Sequence, residues 1–255
     1  MDEDSIASME LLQQEMWPAR NIERINGWIL SENGGITWRA NSTYPYGDMR
    51  PERADEAIER VIAFYRKHGC SPAFKMTKAC SPPDLDERLE TRGFVKFMPT
   101  HVQTRGLMDY DFSSPPAIRV QITEGLTEDW LETQRVDERY HGPNILVLED
   151  ILRRLPGRSG YAIVRNESGV LGVGLGVVHK NWLALYSVRV VEEHRRKGVG
   201  EAISRELMSW GRRVGAQNVF LQVEVDKTKA IRLYEKLGFR TAYSYWYRAL
   251  DLTTG

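Results

Sequence analysis

Two cysteines in a chain of 255 residues are too few for a disulfide framework. Cys70 and Cys80 also lack the second pair that a zinc site needs. Net charge is missing as well: 35 Lys and Arg balance 35 Asp and Glu, which argues against general nucleic-acid or membrane-surface binding. The longest stretch without a charged or strongly polar group, Gly169–Val178, falls far short of a spanning helix. The N-terminus, MDEDSIASMELL, is acidic and has no basic-then-apolar leader profile. These absences predict a cytoplasmic protein with neither a nucleic-acid nor a membrane partner, and leave a homodimer open. With 42% hydrophobic and 27% charged residues, the chain can bury real cores, and its length suits two domains.

The clearest boundary is Asp109–Ala117, DYDFSSPPA, where serines and prolines separate periodic segments. It divides the chain into domains at 1–110 and 117–255. Downstream, the pattern predicts a strand over Ile118–Ile122 and a helix over Thr127–Tyr140 capped by Thr127. A second helix follows over Asn144–Arg154, then an antiparallel meander of apolar runs at Tyr161–Val164, Val170–Val178 and Leu183–Val190. Val199, Ile203, Leu207, Trp210 and Val214 stripe one face of a further helix. A strand at Val219–Val225, a helix at Thr228–Leu237 closed by Gly238 and a last strand from Tyr243 to Leu250 complete the chain.

The first half repeats part of this order. Ala54, Ile58, Val61 and Phe64 stripe a helix ending at Gly69, as the later helix ends at Gly215, and Phe74 takes the place of Phe220. Leu89-Glu-Thr-Arg-Gly-Phe94 echoes Tyr234-Glu-Lys-Leu-Gly-Phe239, and Arg105-Gly-Leu echoes Arg248-Ala-Leu. Order and spacing together indicate two copies of one unit. The copies differ at one turn. Where the later copy has Gly198 and Gly200, the earlier has Glu52 and Ala54, behind Pro51.

That turn carries the chemistry. Arg195-Arg196-Lys197-Gly198-Val199-Gly200 sits where a strand ends and a helix begins. The first N–H groups of a helix have no intrahelical partner, and the macrodipole makes that end positive. Cationic neighbours and two missing side chains make a place where a pyrophosphate meets backbone. A carboxylate and a proline at the matching turn of the first copy would repel a phosphate and remove a donor.

Arg195-x-x-Gly198-x-Gly200 behind an apolar strand, with Ala230-x-x-x-Tyr234-x-x-x-Gly238-Phe239 downstream, resembles the GNAT superfamily of acyl-CoA-dependent N-acetyltransferases. The resemblance covers residues 117–250 and is most diagnostic over 183–239. The first half resembles the degenerate GNAT-like domain of some two-domain members, including its stretch Trp38-Arg39-Ala40-Asn41-Ser42. The implied class is α/β (α+β): tandem GNAT folds, each a mixed, mostly antiparallel central sheet flanked by helices.

The resemblance implies acetyl-CoA as acyl donor. Its pyrophosphate would rest on the amides of Lys197, Gly198, Val199 and Gly200 beside Arg195 and Arg196, and its pantetheine arm would pair with the backbone of Val188 and Val190. It also implies that Tyr234 protonates the departing thiolate. Family members usually carry Asn where this chain has Lys227, so Lys227 either meets a phosphate from the side or points to solvent. Glu224 shares a strand face with Gln222. It reads either as a general base with a raised pKa or as a strand-end carboxylate in water. Arg139-Tyr-His-Gly142 and the aromatic strand Tyr243–Tyr247 are the expected pocket walls, and Trp38, Arg39 and Asn41 read first as strand residues. The expected reaction is direct transfer of acetyl to a primary amine, of a small molecule first and of a peptide or protein second. A coenzyme-A-binding sensor without turnover is the rival from another class.

Overall fold

The computed structural model describes residues 1–113, 118–167 and 169–250, which form two compact units. Unit 1 takes Met1–Thr100, Glu138–Ile151 and the chain from Tyr243 onward; unit 2 takes His101–Asp137 and Leu152–Ala242. The division falls inside two strands, β5 (Val95–Gly106) and β11 (Arg240–Ala249), rather than at Asp109–Ala117, whose residues 114–117 lie outside the described ones. Residues 101–110 therefore belong with unit 2, and 243–250 with unit 1. Strand pairing sets this exchange. β11 runs antiparallel to β4 (Ala73–Met76), with Ala249 opposite Ala73 and Trp246 opposite Met76. At the end of β5 the Leu107 N–H donates to the Gln217 carbonyl at 2.8 Å.

Unit 1 contains α1 (Glu3–Met16), β1 (Asn21–Ile25), β2 (Trp28–Glu32), β3 (Thr43–Tyr44), α2 (Pro51–Lys67), β4 and α3 (Leu85–Thr91), with most of α5 (Asn144–Arg153). Its strands are ordered β1-β2-β3-β4-β11. α2 is the helix predicted from its apolar stripe, and Ala54, Ile58 and Val61 are buried in its core. Trp38–Ala40 is a 3₁₀ turn and not a strand. Asn41 explains it: Oδ1 accepts from the N–H groups of Asn33 (2.7 Å) and Gly35 (2.9 Å), and Nδ2 donates to the Thr37 carbonyl at 2.7 Å. The side chain replaces a strand partner for that loop.

Unit 2 contains β6 (Gln121–Thr123), α4 (Glu128–Glu132), β7 (Arg158–Asn166), β8 (Gly169–His179), β9 (Trp182–Val190), α6 (Val199–Arg213), β10 (Asn218–Glu224) and α7 (Thr228–Lys236). Its strands are ordered β5-β10-β9-β8-β7-β6. The helix predicted over Thr127–Tyr140 starts as expected, with the Thr127 hydroxyl accepting from the Trp130 N–H, but it ends at Glu132. Two 3₁₀ turns follow, Thr133–Val136 and Glu138–Tyr140. Thr133 takes the Trp130 carbonyl with its own hydroxyl at 2.5 Å, a local bond that competes with helix propagation. Each unit contains a parallel pair: β3 with β4 through Thr43 and Phe74, and β9 with β10 through Ala184 and Phe220. The two phenylalanines thus occupy matching places, as the repeat predicted.

Alternate glycines on β8 bring α6 onto the sheet. A Cβ at Gly172, Gly174 or Gly176 would meet α6 side chains at 2.9 Å (Val199), 2.6 Å (Ile203) and 3.2 Å (Leu207). Only a bare strand lets the helix lie this close. Gly174→Val should therefore destabilise the chain by about 1–3 kcal/mol through overpacking, read as a lowered denaturant midpoint. An unchanged midpoint would show that α6 can shift away.

Candidate active site

The paired register of β9 and β10 runs from Trp182–Asn218 to Leu185–Leu221, and β9 continues to Val190. Beyond that point β9 also breaks step with β8. Gly174 faces both Ser187 and Val188, between the pairs Leu175–Tyr186 and Val173–Arg189. This is a β-bulge, which leaves backbone polar groups outside the ladder. Ser187 holds φ 50° there, a left-handed conformation that costs a non-glycine residue about 1–2 kcal/mol. Trp130, fully buried on α4, braces the bulge by donating its indole N–H to the Gly174 carbonyl at 3.2 Å. Val188 and Val190 lean toward α6, with their methyls 3.5 Å from the Cβ positions at Gly174 and Gly200.

From the end of β9 the chain enters a 3₁₀ turn at Glu192–His194 and reaches α6 through Arg195–Gly198. Arg196 and Gly198 both turn left-handed, at φ 62° and 83°. The first helical bond of α6 is from Ala202 N–H to the Gly198 carbonyl at 2.9 Å, so the preceding amides sit at the open helix end. Arg195 is engaged by the turn itself: Nε donates to the Val190 carbonyl at 3.4 Å and Nη1 to Glu192 Oε1 at 3.3 Å. Arg196 and Lys197 are exposed and, among the described residues, have no ion-pair or hydrogen-bond partner.

The two glycines are there for different reasons. Gly198 needs its conformation; a Cβ would find only Ile118 Cδ1 at 3.7 Å, but φ 83° would strain it. Gly200 is helical, and a Cβ there would meet Leu233 and Val190 at 3.5 Å, ordinary van der Waals contact. Nothing inside the protein requires Gly200 to be glycine, and glycine weakens a helix by about 1 kcal/mol against alanine. A bare backbone at the helix end, beside two unpaired cations, suits the pyrophosphate of an acyl carrier.

Tyr234 lies on α7, whose neighbouring Leu233 is one of the side chains facing Gly200. The Tyr234 ring packs edge-on against Phe239 at 5.7 Å. Its hydroxyl has no hydrogen-bond partner among the described residues, and burial alone pushes its pKa up to about 12. It is a protonated donor that no described residue engages. Glu224 ends β10 with its side chain 41% exposed and Lys227 Nζ 3.5 Å from Oε2. Lys227 also donates to Asp226 at 3.0 Å, a bond that, followed by the charge of Glu224, raises the lysine pKa. Arg139–Gly142 and Tyr243–Tyr247, expected as pocket walls, belong to unit 1, whereas all the residues just described belong to unit 2.

The matching turn of unit 1 is satisfied from within. The Met49 N–H donates to Ser81 Oγ at 3.0 Å, and the Ser81 N–H donates to the Pro45 carbonyl at 3.1 Å. α2 opens on Pro51, which has no N–H. Both cysteines are free thiols of this unit, their pKa values pushed up by burial to about 11 for Cys70 and about 12 for Cys80. Neither is poised to accept an acyl group.

Across nearly its full length the chain is similar to a Bacillus subtilis protein, "Uncharacterized N-acetyltransferase YobR", at 29% identity over 96% of this chain and 98% of the relative. A shorter stretch, 24% of this chain and 21% of the relative, is 39% identical to the mycothiol acetyltransferase of Corynebacterium glutamicum. Among solved structures, a GCN5-related N-acetyltransferase from Kribbella flavida superposes with a TM-score of 0.70 at 14% identity, over 96% of this chain and 94% of that one. A tandem GNAT protein from the clavulanic acid biosynthesis pathway does so at 0.62 and 12% identity, over 96% and 88%. At such identities the structures establish the fold, which is the mixed-sheet tandem GNAT architecture that the resemblance implied. Residues 4–248 match the model of the family described as "Probable histone acetyltransferase Rv0428c C-terminal", and the chain belongs to that family: it is an N-acetyltransferase of the GNAT type.

Proposed function

We propose that unit 2 transfers an acetyl group from acetyl-CoA directly to a primary amine of a small cytoplasmic molecule. The observation that carries this reading is Tyr234, whose ring is buried and whose hydroxyl is protonated and bonded to no described residue, on the helix that packs beside Gly200. In this reading the amides of Lys197, Gly198, Val199 and Gly200 hold the donor's pyrophosphate, with Arg196 and Lys197 as its counter-charges. Arg195 keeps the turn in shape. Val188 and Val190 offer their backbone to the pantetheine arm, and the bulge at Ser187–Val188 supplies an N–H for the thioester oxygen. One well-placed donor of this kind contributes about 3–4 kcal/mol.

The proton balance assigns the remaining roles. A C–N bond forms, a C–S bond breaks, the nitrogen loses a proton and the sulfur gains one. Glu224, solvated at the end of β10, passes the amine's proton to water. Tyr234 faces the sulfur. A phenol near 12 against a thiol near 8.5 opposes free transfer by roughly 3.5 units, or about 5 kcal/mol. Tyr234 therefore acts by hydrogen-bonding the sulfur as its charge develops and keeps its own proton, and the released thiolate takes its proton from water. Covalent transfer through cysteine is disfavoured because both thiols, half-buried and with raised pKa values, lie in unit 1.

The test is colorimetric thiol release from acetyl-CoA when amines are added to the full chain. Amine-dependent release with a matching acetylated product supports the reading. Tight acetyl-CoA binding without release from any amine overturns it in favour of a coenzyme-A-binding module.

A further inference from the structure

Two polar side chains next to the bulge of β9 have no part in holding the acyl donor. Asp137 closes the 3₁₀ turn Thr133–Val136, donating its N–H to the Gln134 carbonyl at 3.0 Å. Its carboxylate pairs with Arg189, which adjoins the bulge residue Val188 on β9. The pair is enclosed, with the two side chains 14% and 25% exposed. Val190 points toward α6, so by alternation Arg189 points to the opposite face of the sheet, and Asp137 meets it there. The Asp137 N–H bond to the Gln134 carbonyl brings the two residues together across the turn, and Gln134 is completely buried.

Gln134 is incompletely satisfied. Its amide nitrogen donates to Thr133 Oγ1 at 3.1 Å, but Oε1 is buried with no hydrogen-bond partner. An unpaired acceptor of this kind costs stability, and buried polar groups almost always find a donor. A ligand that brings N–H groups would supply it. The neighbouring carboxylate, paired with Arg189, also accepts. On the face of β9 away from α6, next to the bulge, two acceptors thus stand together.

We infer that Gln134 Oε1 and the Asp137 carboxylate bind the acceptor amine, with Arg189 as the residue that positions Asp137. The acceptor class is a primary amine with no carboxylate on the carbon bearing the nitrogen, because a second anion there would stand against Asp137 while Arg189 is already committed to it. This rests on the acetyltransferase reading above. Asp137, whose carboxylate already pairs with a guanidinium, is assigned to binding the amine and not to taking its proton.

The test uses steady-state thiol release by the full chain with two matched pairs of acceptors, phenethylamine against phenylalanine and tyramine against tyrosine. The amine of each pair should be preferred at least tenfold in kcat/KM. Asp137→Asn should raise the amine KM tenfold or more and leave the acetyl-CoA KM within twofold. Gln134→Met, which keeps the volume and removes the unpaired oxygen, should do the same with an unchanged or raised Tm. It decides the matter if Asp137→Asn fails to fold. Preference for the amino acids, an unmoved amine KM in Gln134→Met, or equal rises in both KM values would each overturn the inference and leave the acetyltransferase reading standing. Absence of release with all four compounds, while acetyl-CoA still binds, would remove that reading and the inference with it.

Discussion

Tyr234→Phe should lower kcat by roughly 10²–10³, or about 3–4 kcal/mol of barrier, while acetyl-CoA affinity and Tm stay where they were. The structure makes this an unusually clean substitution. Tyr234 is almost wholly buried, its ring packs on Phe239, and its hydroxyl bonds to no described residue. Phenylalanine fills the same volume and breaks no hydrogen bond, so a loss of rate cannot be ascribed to lost fold. Stability should hold or rise slightly. Burial, which lifts the phenol to about 12, also fixes the pH behaviour. The protonated form persists until the pH approaches that value, so Tyr234 gives no falling limb below roughly pH 11. The rise of rate from neutral pH should instead follow deprotonation of the amine. Pre-steady-state measurement separates acetyl transfer from product release. An unchanged transfer rate in the variant would show that the hydroxyl does not serve the sulfur.

The parts of this site that were legible in the sequence are those whose physics is local. The turn Arg195–Gly200 announces itself because a left-handed cap, a bare helix end and three cations are consecutive residues. The α6 stripe was equally plain, since Val199, Ile203, Leu207 and Trp210 all enter one core. What depended on distant partners was not legible. Periodicity identified the strand from Tyr243 to Leu250 but not its neighbours, and it did not identify β5 at all, so the exchange between units was invisible. α1 was hidden because its buried face includes Glu10 and Gln13. Their partners come from far along the chain: Lys75 lies 2.5 Å from Glu10, and Tyr243 donates to Glu10 at 2.5 Å while accepting from Gln13 at 2.7 Å. Alternation placed Glu224 on a strand face but said nothing of its exposure or of Lys227. Gly172, Gly174 and Gly176 did carry a signal. Glycine at every second position of a strand marks one face made bare for a helix, and Gly160 on β7, under the Trp210 ring, extends it.

Gly198→Glu should abolish acetyl-CoA binding, and calorimetry should show it as a change from one molecule bound per chain to none. One is the expected wild-type ratio, because Ser81 already occupies the matching turn of unit 1. Two effects combine in the variant. Any side chain at φ 83° costs about 1–2 kcal/mol in backbone strain, and the carboxylate sets a negative charge at the helix end proposed to hold phosphates. Gly198→Ala separates them, since its Cβ has room beside Ile118 and brings strain without charge. It should lose about 1–2 kcal/mol of stability and keep measurable binding. Gly200→Ala supplies the opposite control. With only ordinary contacts to Leu233 and Val190, it should gain up to about 1 kcal/mol of stability from helix propensity, so any loss of affinity there reports on the ligand alone. Binding that survived Gly198→Glu would mean that the diphosphate lies elsewhere. The roles given to Arg196, Lys197 and the open end of α6 would then fall together, because all of them rest on the same turn.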